Sequence, residues 1–326
     1  MKRMLFVFLV ITFFSCKKEA NYSYLKGTAF GTTFHITYND VLKRDMTTSI
    51  DSLIKTVNKS LSTYQKDSDI SKINRGNTLV IVDDKFKEVF KKSQRIYKET
   101  KGVFDPTIGV LVNAWDFGPE KKLKNLDSVV VKELMQQVGF NKVKIKKDRV
   151  FKENKLTYFD FNAIAKGYGV DIIGRFFEEN NIVDYMIEVG GEIRVRGKSP
   201  RNSKWNIEIE DPNFDGSRSS KKIISLENET LATSGTYRKF KIDKNGNKYA
   251  HILNAKTGYP AKSNLLSASV VSKLDCADVD GYATTLIAMG LEKSKVFLKN
   301  HKELKAFLIY SDKNGTLKTF QTDGFD

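Results

Sequence analysis

Apolar residues recur along the chain with two periods, one helical and one strand-like. Met46, Ile50, Leu53, Ile54, Val57 and Leu61 keep the helical spacing and predict an amphipathic helix that runs into Ser62-Thr63-Tyr64 and a polar loop at 65–69. Phe86, Val89, Phe90, Ile96 and Tyr97 predict a second helix over roughly 83–100, stopped at Lys101-Gly102. Pro106 holds Asp105 extended and suits the first position of a helix, which makes Asp105 its expected N-cap. Asp127 caps a further helix through Val138. The segment 24–38 is rich in β-branched and aromatic residues with interspersed glycines, as in a strand pair or a bent strand. Val143–Val150 with Leu156–Phe161 reads as a hairpin, and 184–196 as a strand whose interior Gly190 and Gly191 mark a bulge or a close backbone approach. Trp205–Ile209 is a strand, and 231–237 leads into a hairpin turning at Lys244-Asn245-Gly246-Asn247. A strand at 265–272, helices at 278–289 and 291–301, and a hairpin turning at Lys313-Asn314-Gly315 complete the chain. Without repeats or a clear linker, this pattern predicts one α+β domain, a mixed and largely antiparallel sheet with packed helices.

The first sixteen residues break the pattern. Lys2 and Arg3 precede an apolar run from Met4 to Phe14, then Ser15 and Cys16. That is a basic n-region and an h-region, and the run falls short of the roughly 20 residues that span a bilayer. Phe-Phe-Ser-Cys resembles a relaxed bacterial lipobox, without the usual leucine three residues before the cysteine. Cleavage of residues 1–15 would leave Cys16 as a lipidated first residue, 16–23 as a tether and 24–326 as the folded domain, lipid-anchored to a bacterial membrane and facing the periplasm or exterior. The other reading is a simple secretory peptide cut nearby. The lipoprotein is favoured because Cys16 ends the apolar run and only Cys276 would remain, which leaves no internal disulfide to form. The net charge of +16 attracts anions in general, yet the lysines are scattered and no nucleic-acid module is present. The expectation is therefore a solvated basic surface that draws in an anionic substrate, with no nucleic-acid partner.

Candidate chemistry centres on Asp160-Phe-Asn-Ala-Ile-Ala-Lys166-Gly-Tyr-Gly-Val-Asp171. It follows a predicted strand and opens a helix to about Asn180, so it presents unpaired N–H groups and the positive end of the helix dipole. Lys166 in the first turns is unfavourable there unless an anion meets it. The plain alternative is a solvated lysine beside two glycines. Asp280 and Thr284 are four residues apart on a predicted helix, so they share a face and can meet one ion, although Asp280 would also suit a helix N-terminus without any metal. Of three histidines, His251 alone lies in a dense motif, and imidazole suits proton transfer near neutrality. A structural histidine at a strand end is the competing reading.

Phe30-Gly31-Thr32, Gly102 through Thr107, Asp160 through Gly169, Val189-Gly190-Gly191, Ala232 through Gly235, His251 through Pro260 and Ala277 through Gly290 occur in a fixed order. With these motifs the chain resembles the ApbE family, the FAD:protein FMN transferases, along nearly its whole length. The resemblance implies a transferase that cleaves the pyrophosphate of FAD, attaches FMN through a phosphoester to a serine or threonine of a target flavoprotein, such as a membrane redox-complex subunit, and releases AMP. It implies Mg2+ held by Asp280, Thr284 and the carbonyl of Ala163, with Asp278 as the alternative carboxylate. It further implies Lys166 on the phosphates, Asp160 on the flavin nucleotide, and Phe30, Tyr64, Phe104, Asp105, Thr107, Gly191, Ser234 and Ile252 around the heterocycles. His251 is implied as the base or a phosphate contact. Phe30 and Tyr64 would equally suit a core. Phe30 stands where the family usually has methionine, and Asn254-Ala255-Lys256 replaces the commoner Asp-Pro-Arg; both bear on nucleotide affinity rather than on the proposed metal ligands. The same residues would also serve an FAD pyrophosphatase with water as acceptor, or a non-enzymatic flavin-binding lipoprotein.

Overall fold

A computed structural model describes residues 22–120, 123, 126–213, 219–237, 240–242 and 248–325. The expected leader, Cys16 and the turn at 244–247 lie outside the described residues. The elements in order are strands β1 (Tyr22–Ala29) and β2 (Thr32–Asn39), helices α1 (Thr47–Leu61), α2 (Asp69–Asn74), α3 (Asp84–Glu99), α4 (Gly109–Ala114) and α5 (Ser128–Met135), and the hairpin β3 (Val143–Lys146) and β4 (Arg149–Lys152). Helix α6 (Ala165–Glu179) is followed by β5 (Tyr185–Val189), β6 (Glu192–Arg196), β7 (Trp205–Glu210), β8 (Ser220–Leu226) and β9 (Thr230–Gly235). The short strands β10 (Phe240–Ile242), β11 (Lys248–Ala250), β12 (Leu253–Asn254) and β13 (Tyr259–Pro260) precede β14 (Leu265–Ser272), α7 (Cys276–Met289), α8 (Leu291–Asn300), β15 (Lys305–Ser311) and β16 (Leu317–Gln321).

The α+β expectation holds. The main sheet runs β1-β2-β5-β6-β9-β14-β15-β16, in chain order with other elements inserted between neighbours, and every pairing in it is antiparallel. Period-two alternation buries both of its faces. In β9 and β14, Ala232 and Val270 face one core with the helices, while Leu231 and Val271 face a second core closed by Trp205, Ile207 and Leu226 of the β7–β8 hairpin. Helix α7 lies across β9 and β14 on the helical side and packs against α6 and α3, so it is apolar on nearly every face. The α1 and α3 stripes read from the sequence are the buried ones, Ile50, Ile54, Val57 and Leu61 in the first, Phe86, Val89, Phe90 and Ile96 in the second.

Four local expectations are corrected. Tyr22 and Ser23, expected in the tether, already pair with Asn39 and Tyr38. The segment 156–161 is no hairpin strand: β3 pairs with β4 and turns at Lys147-Asp148, leaving Tyr158 with an isolated parallel bridge to Ile108. Gly190 and Gly191 lie in a turn, with φ of 59° and 102°, that splits 184–196 into β5 and β6, which is why glycine stands at both places. Asp105 caps no helix. Its side chain accepts from the N–H and hydroxyl of Thr107 and the N–H of Phe140, and α4 begins only at Gly109. Helix α2 and strand β8 were not anticipated; Ser68 caps α2 by accepting from the N–H of Ser71.

Candidate active site

The start of α6 is set by small residues and by hydrogen bonds before it. The N–H of Asp160 donates to the Pro106 carbonyl at 2.7 Å, and its carboxylate accepts from the N–H of Asn162 at 2.7 Å. Gly167 lets α6 cross α7 closely, since a Cβ there would sit 2.4 Å from the Cys276 carbonyl oxygen. The two helices then cap one another. Asp280 of α7 accepts from the Gly167 N–H at 3.1 Å, while the buried Asp171 of α6 accepts from the N–H groups of Cys276 and Ala277 at 2.9 and 2.8 Å. An anion does meet the α6 N-terminus, and the protein itself provides one.

This crossing forms one end of a cleft of about 1160 Å3, somewhat above the roughly 300–1,000 Å3 usual for small-molecule sites. Ala163 just before α6, Lys166 in its first turn, Asp280 and Thr284 of α7, and Ser234 of β9 line it together. Thr284 and Ser234 hydroxyls are hydrogen-bonded at 3.0 Å. Asp278 faces elsewhere, paired with Lys92 at 3.0 Å and Arg95 at 2.5 Å, so among the two carboxylates weighed from sequence only Asp280 reaches the cleft. Burial raises the Asp280 carboxyl above its usual range, opposed by the Lys166 charge and the Gly167 N–H.

The remaining expected residues divide. Phe30 occupies the β1–β2 turn in a left-handed conformation, φ 52°, with its ring against Gly169, where a Cβ would approach it to 2.3 Å. Phe104, Asp105, Asp160, Gly191, His251 and Ile252 also line the cleft. A Cβ on Gly191 would meet nothing within 4 Å, so its backbone is open toward a ligand. Tyr64 stands at the rim, 57% exposed, which sets aside a core role for it. His251 packs edge-on against Phe117, ring centroids 6.2 Å apart. Thr107 is the exception. It is fully buried, does not line the cleft, and braces the Asp105 carboxylate while its hydroxyl accepts from the Gly139 N–H at 2.7 Å.

Sequence reasoning missed Glu192. The first residue of β6 is 1% exposed, lines the cleft, and accepts from Lys166 Nζ through Oε1 at 2.6 Å. Burial alone would lower the Lys166 pKa, but Asp280 and Glu192 outweigh it and hold the ammonium charged. A carboxylate directly after the Gly-Gly pair was the available signal, hidden by reading that pair as a strand interior.

Comparison with known proteins fits this geometry. The ApbE family model matches residues 30–308. An FAD:protein FMN transferase of Haemophilus influenzae is 35% identical over 323 residues, covering 95% of this chain and 92% of that protein, and one of Vibrio cholerae is 35% identical over 288 residues, covering 85% and 84%. The solved flavin transferase ApbE from Vibrio cholerae superposes with a TM-score of 0.84 at 32% identity, covering 94% of this chain and 98% of that one. On the length of the match, the similarity of fold and the motifs gathered in a single cleft, the chain belongs to the ApbE family.

Proposed function

We propose that this protein is an FAD:protein FMN transferase. The observation that carries the reading is the juxtaposition, in one dinucleotide-sized cleft, of the Lys166 ammonium, the buried Asp280 carboxylate and the paired Thr284 and Ser234 hydroxyls. The donors at that end are hard oxygens, one carboxylate, one hydroxyl and the Ala163 carbonyl, which suit Mg2+ rather than a softer metal. Asp280, Thr284 and Ala163 would hold the ion, which would neutralise charge building on the phosphates. Lys166 adds fixed positive charge toward the pyrophosphate. Phe30, Phe104, Ile252 and the open Gly191 backbone offer flat and apolar surface to the ring systems, with Tyr64 at the entrance.

In the transfer, the hydroxyl oxygen of a serine or threonine on the partner bonds to the FMN-side phosphorus as the bond from that phosphorus to the bridging oxygen breaks, and AMP leaves with the bridging oxygen. His251 takes the hydroxyl proton. The acceptor hydroxyl comes from another protein, so no Ser-His pair is required within the chain. The sequence of the first sixteen residues supports a lipid anchor at Cys16, which would place the enzyme at the outer side of a bacterial membrane, where a membrane redox-complex subunit is a fitting acceptor. Incubation with FAD, Mg2+ and a threonine-containing flavoprotein fragment should give a fluorescent band that survives denaturing electrophoresis. Tight FAD binding with no such band for several acceptor fragments would overturn the reading, and free FMN without labelled protein would point to hydrolysis instead.

A further inference from the structure

Three ionisable side chains meet at one end of the cleft, and only two of them have been given work. Lys166 and Asp280 come from the reciprocal crossing of α6 and α7; Glu192 comes from the sheet, at the start of β6. Lys166 has two carboxylates within electrostatic reach, Asp280 and Glu192. It is bonded to Glu192, Nζ to Oε1 at 2.6 Å. Asp280 meanwhile accepts from the backbone N–H of Gly167, the residue next to Lys166. Glu192 has a second oxygen, Oε2, that is buried without a hydrogen-bond partner among the described residues, in a side chain 1% exposed. Burying a carboxylate in this way costs several kcal/mol unless something is gained by it.

We propose that Glu192 is a positioning residue that keeps the Lys166 ammonium off Asp280, so that Asp280 stays open to a divalent cation. This rests on the cation reading given above and deepens it. Lys166, one residue from the N–H that Asp280 already caps, carries a positive charge that acts on Asp280. Left without Glu192, a flexible ammonium with three donors would turn to the remaining carboxylate and occupy the position the cation needs. With Glu192 in place, the same ammonium is held to the side, still charged and still facing the cleft. The arrangement also accounts for the irregularity noted in the sequence, a lysine where a helix N-terminus disfavours one.

Direct binding of Mn2+, followed by its electron paramagnetic resonance signal in the absence of FAD and acceptor, tests this without reference to activity. Glu192→Gln should weaken Mn2+ binding about 10- to 100-fold, the range seen when such supporting groups are removed. Adding Lys166→Gln to Glu192→Gln should recover most of that loss, because the competing ammonium is gone. A merely structural Glu192 would give no such rescue, and thermal unfolding of both variants reports any loss of folding separately. Equal Mn2+ affinity in the wild type and Glu192→Gln, or a double variant as weak as the single one, overturns the inference. A wild type that binds no Mn2+ at all refutes the cation reading on which it stands.

Discussion

Substituting Gly167 by alanine tests the crossing that builds the cleft. In the interior of an ordinary helix the change from glycine to alanine is stabilising by about 1 kcal/mol. Here the added Cβ would lie 2.4 Å from the Cys276 carbonyl oxygen, 2.7 Å from its carbon and 2.8 Å from the Ala277 nitrogen, all backbone atoms of α7. Ordinary contact begins near 3.4 Å, so α6 and α7 must part by about 1 Å. Overpacking of this kind costs about 1–3 kcal/mol, which exceeds the propensity gain and reverses its sign. The same displacement moves Asp280 away from the Gly167 N–H and from Ala163, and an error of about 1 Å in a catalytic constellation costs on the order of 10²-fold in rate. Urea denaturation read by far-UV circular dichroism gives the stability, and the rate of acceptor labelling at saturating FAD gives the activity. The expected result is a lower midpoint with an unchanged slope and a labelling rate down by about 10²-fold. An alanine variant that is more stable than the wild type and labels at the same rate would refute the account of the α6–α7 crossing.

Three further outcomes are expected. Replacing His251 by asparagine should slow labelling by about 10²- to 10⁴-fold, the usual contribution of a general base, while FAD affinity by flavin fluorescence quenching stays within a few-fold of the wild type. Gly169→Ala should displace the Phe30 ring, which a Cβ there would approach to 2.3 Å, and weaken FAD binding with a smaller loss of stability than Gly167→Ala, because a side chain rather than backbone gives way. Acid should destabilise the fold through Asp40, whose carboxyl is held below its ordinary value of 3.8 by side-chain hydrogen bonds from Arg44, against the cost of burial. A depressed carboxyl stabilises the folded state above its unfolded pKa, and that contribution disappears as pH falls below about 4 through the folded value. Denaturation midpoints should therefore drop over this window in the wild type and drop less steeply in Asp40→Asn.

The elements legible in the sequence are those whose signals are local. The α1 and α3 stripes, the cap at Asp127 and the strand pair at 24–38 rest on residues within a few positions of one another. The stretch from Asp160 to Asp171 was legible as an anion-favouring helix start, although its own anion, Asp280, lies more than a hundred positions away in α7. Non-local pairing hid the rest. The alternation that marks Leu156–Phe161 as a strand is real, but the partner expected for it, 143–150, folds back on itself through Lys147 and Asp148, both with positive φ. Asp105 before a proline has every local mark of an N-cap, and only the approach of Phe140 from a distant segment turns it into a brace for the loop. Glu192 illustrates the same limit most sharply. Its role depends on Lys166, which the sheet and α6 bring together across a turn that the sequence presents as an uninterrupted strand.

The central claim is that the cleft end built by Ala163, Lys166, Asp280 and Thr284 transfers FMN from FAD to a protein hydroxyl. Intact-mass spectrometry of a threonine-containing flavoprotein fragment, incubated with FAD, Mg2+ and either the wild type or Asp280→Ala, measures that step itself. The account predicts a fragment heavier by one phosphoester-linked FMN with the wild type, with AMP formed in equal amount, and an unmodified fragment with Asp280→Ala. FMN addition by Asp280→Ala at the wild-type rate, or an unmodified fragment alongside free FMN in the wild-type reaction, would contradict it.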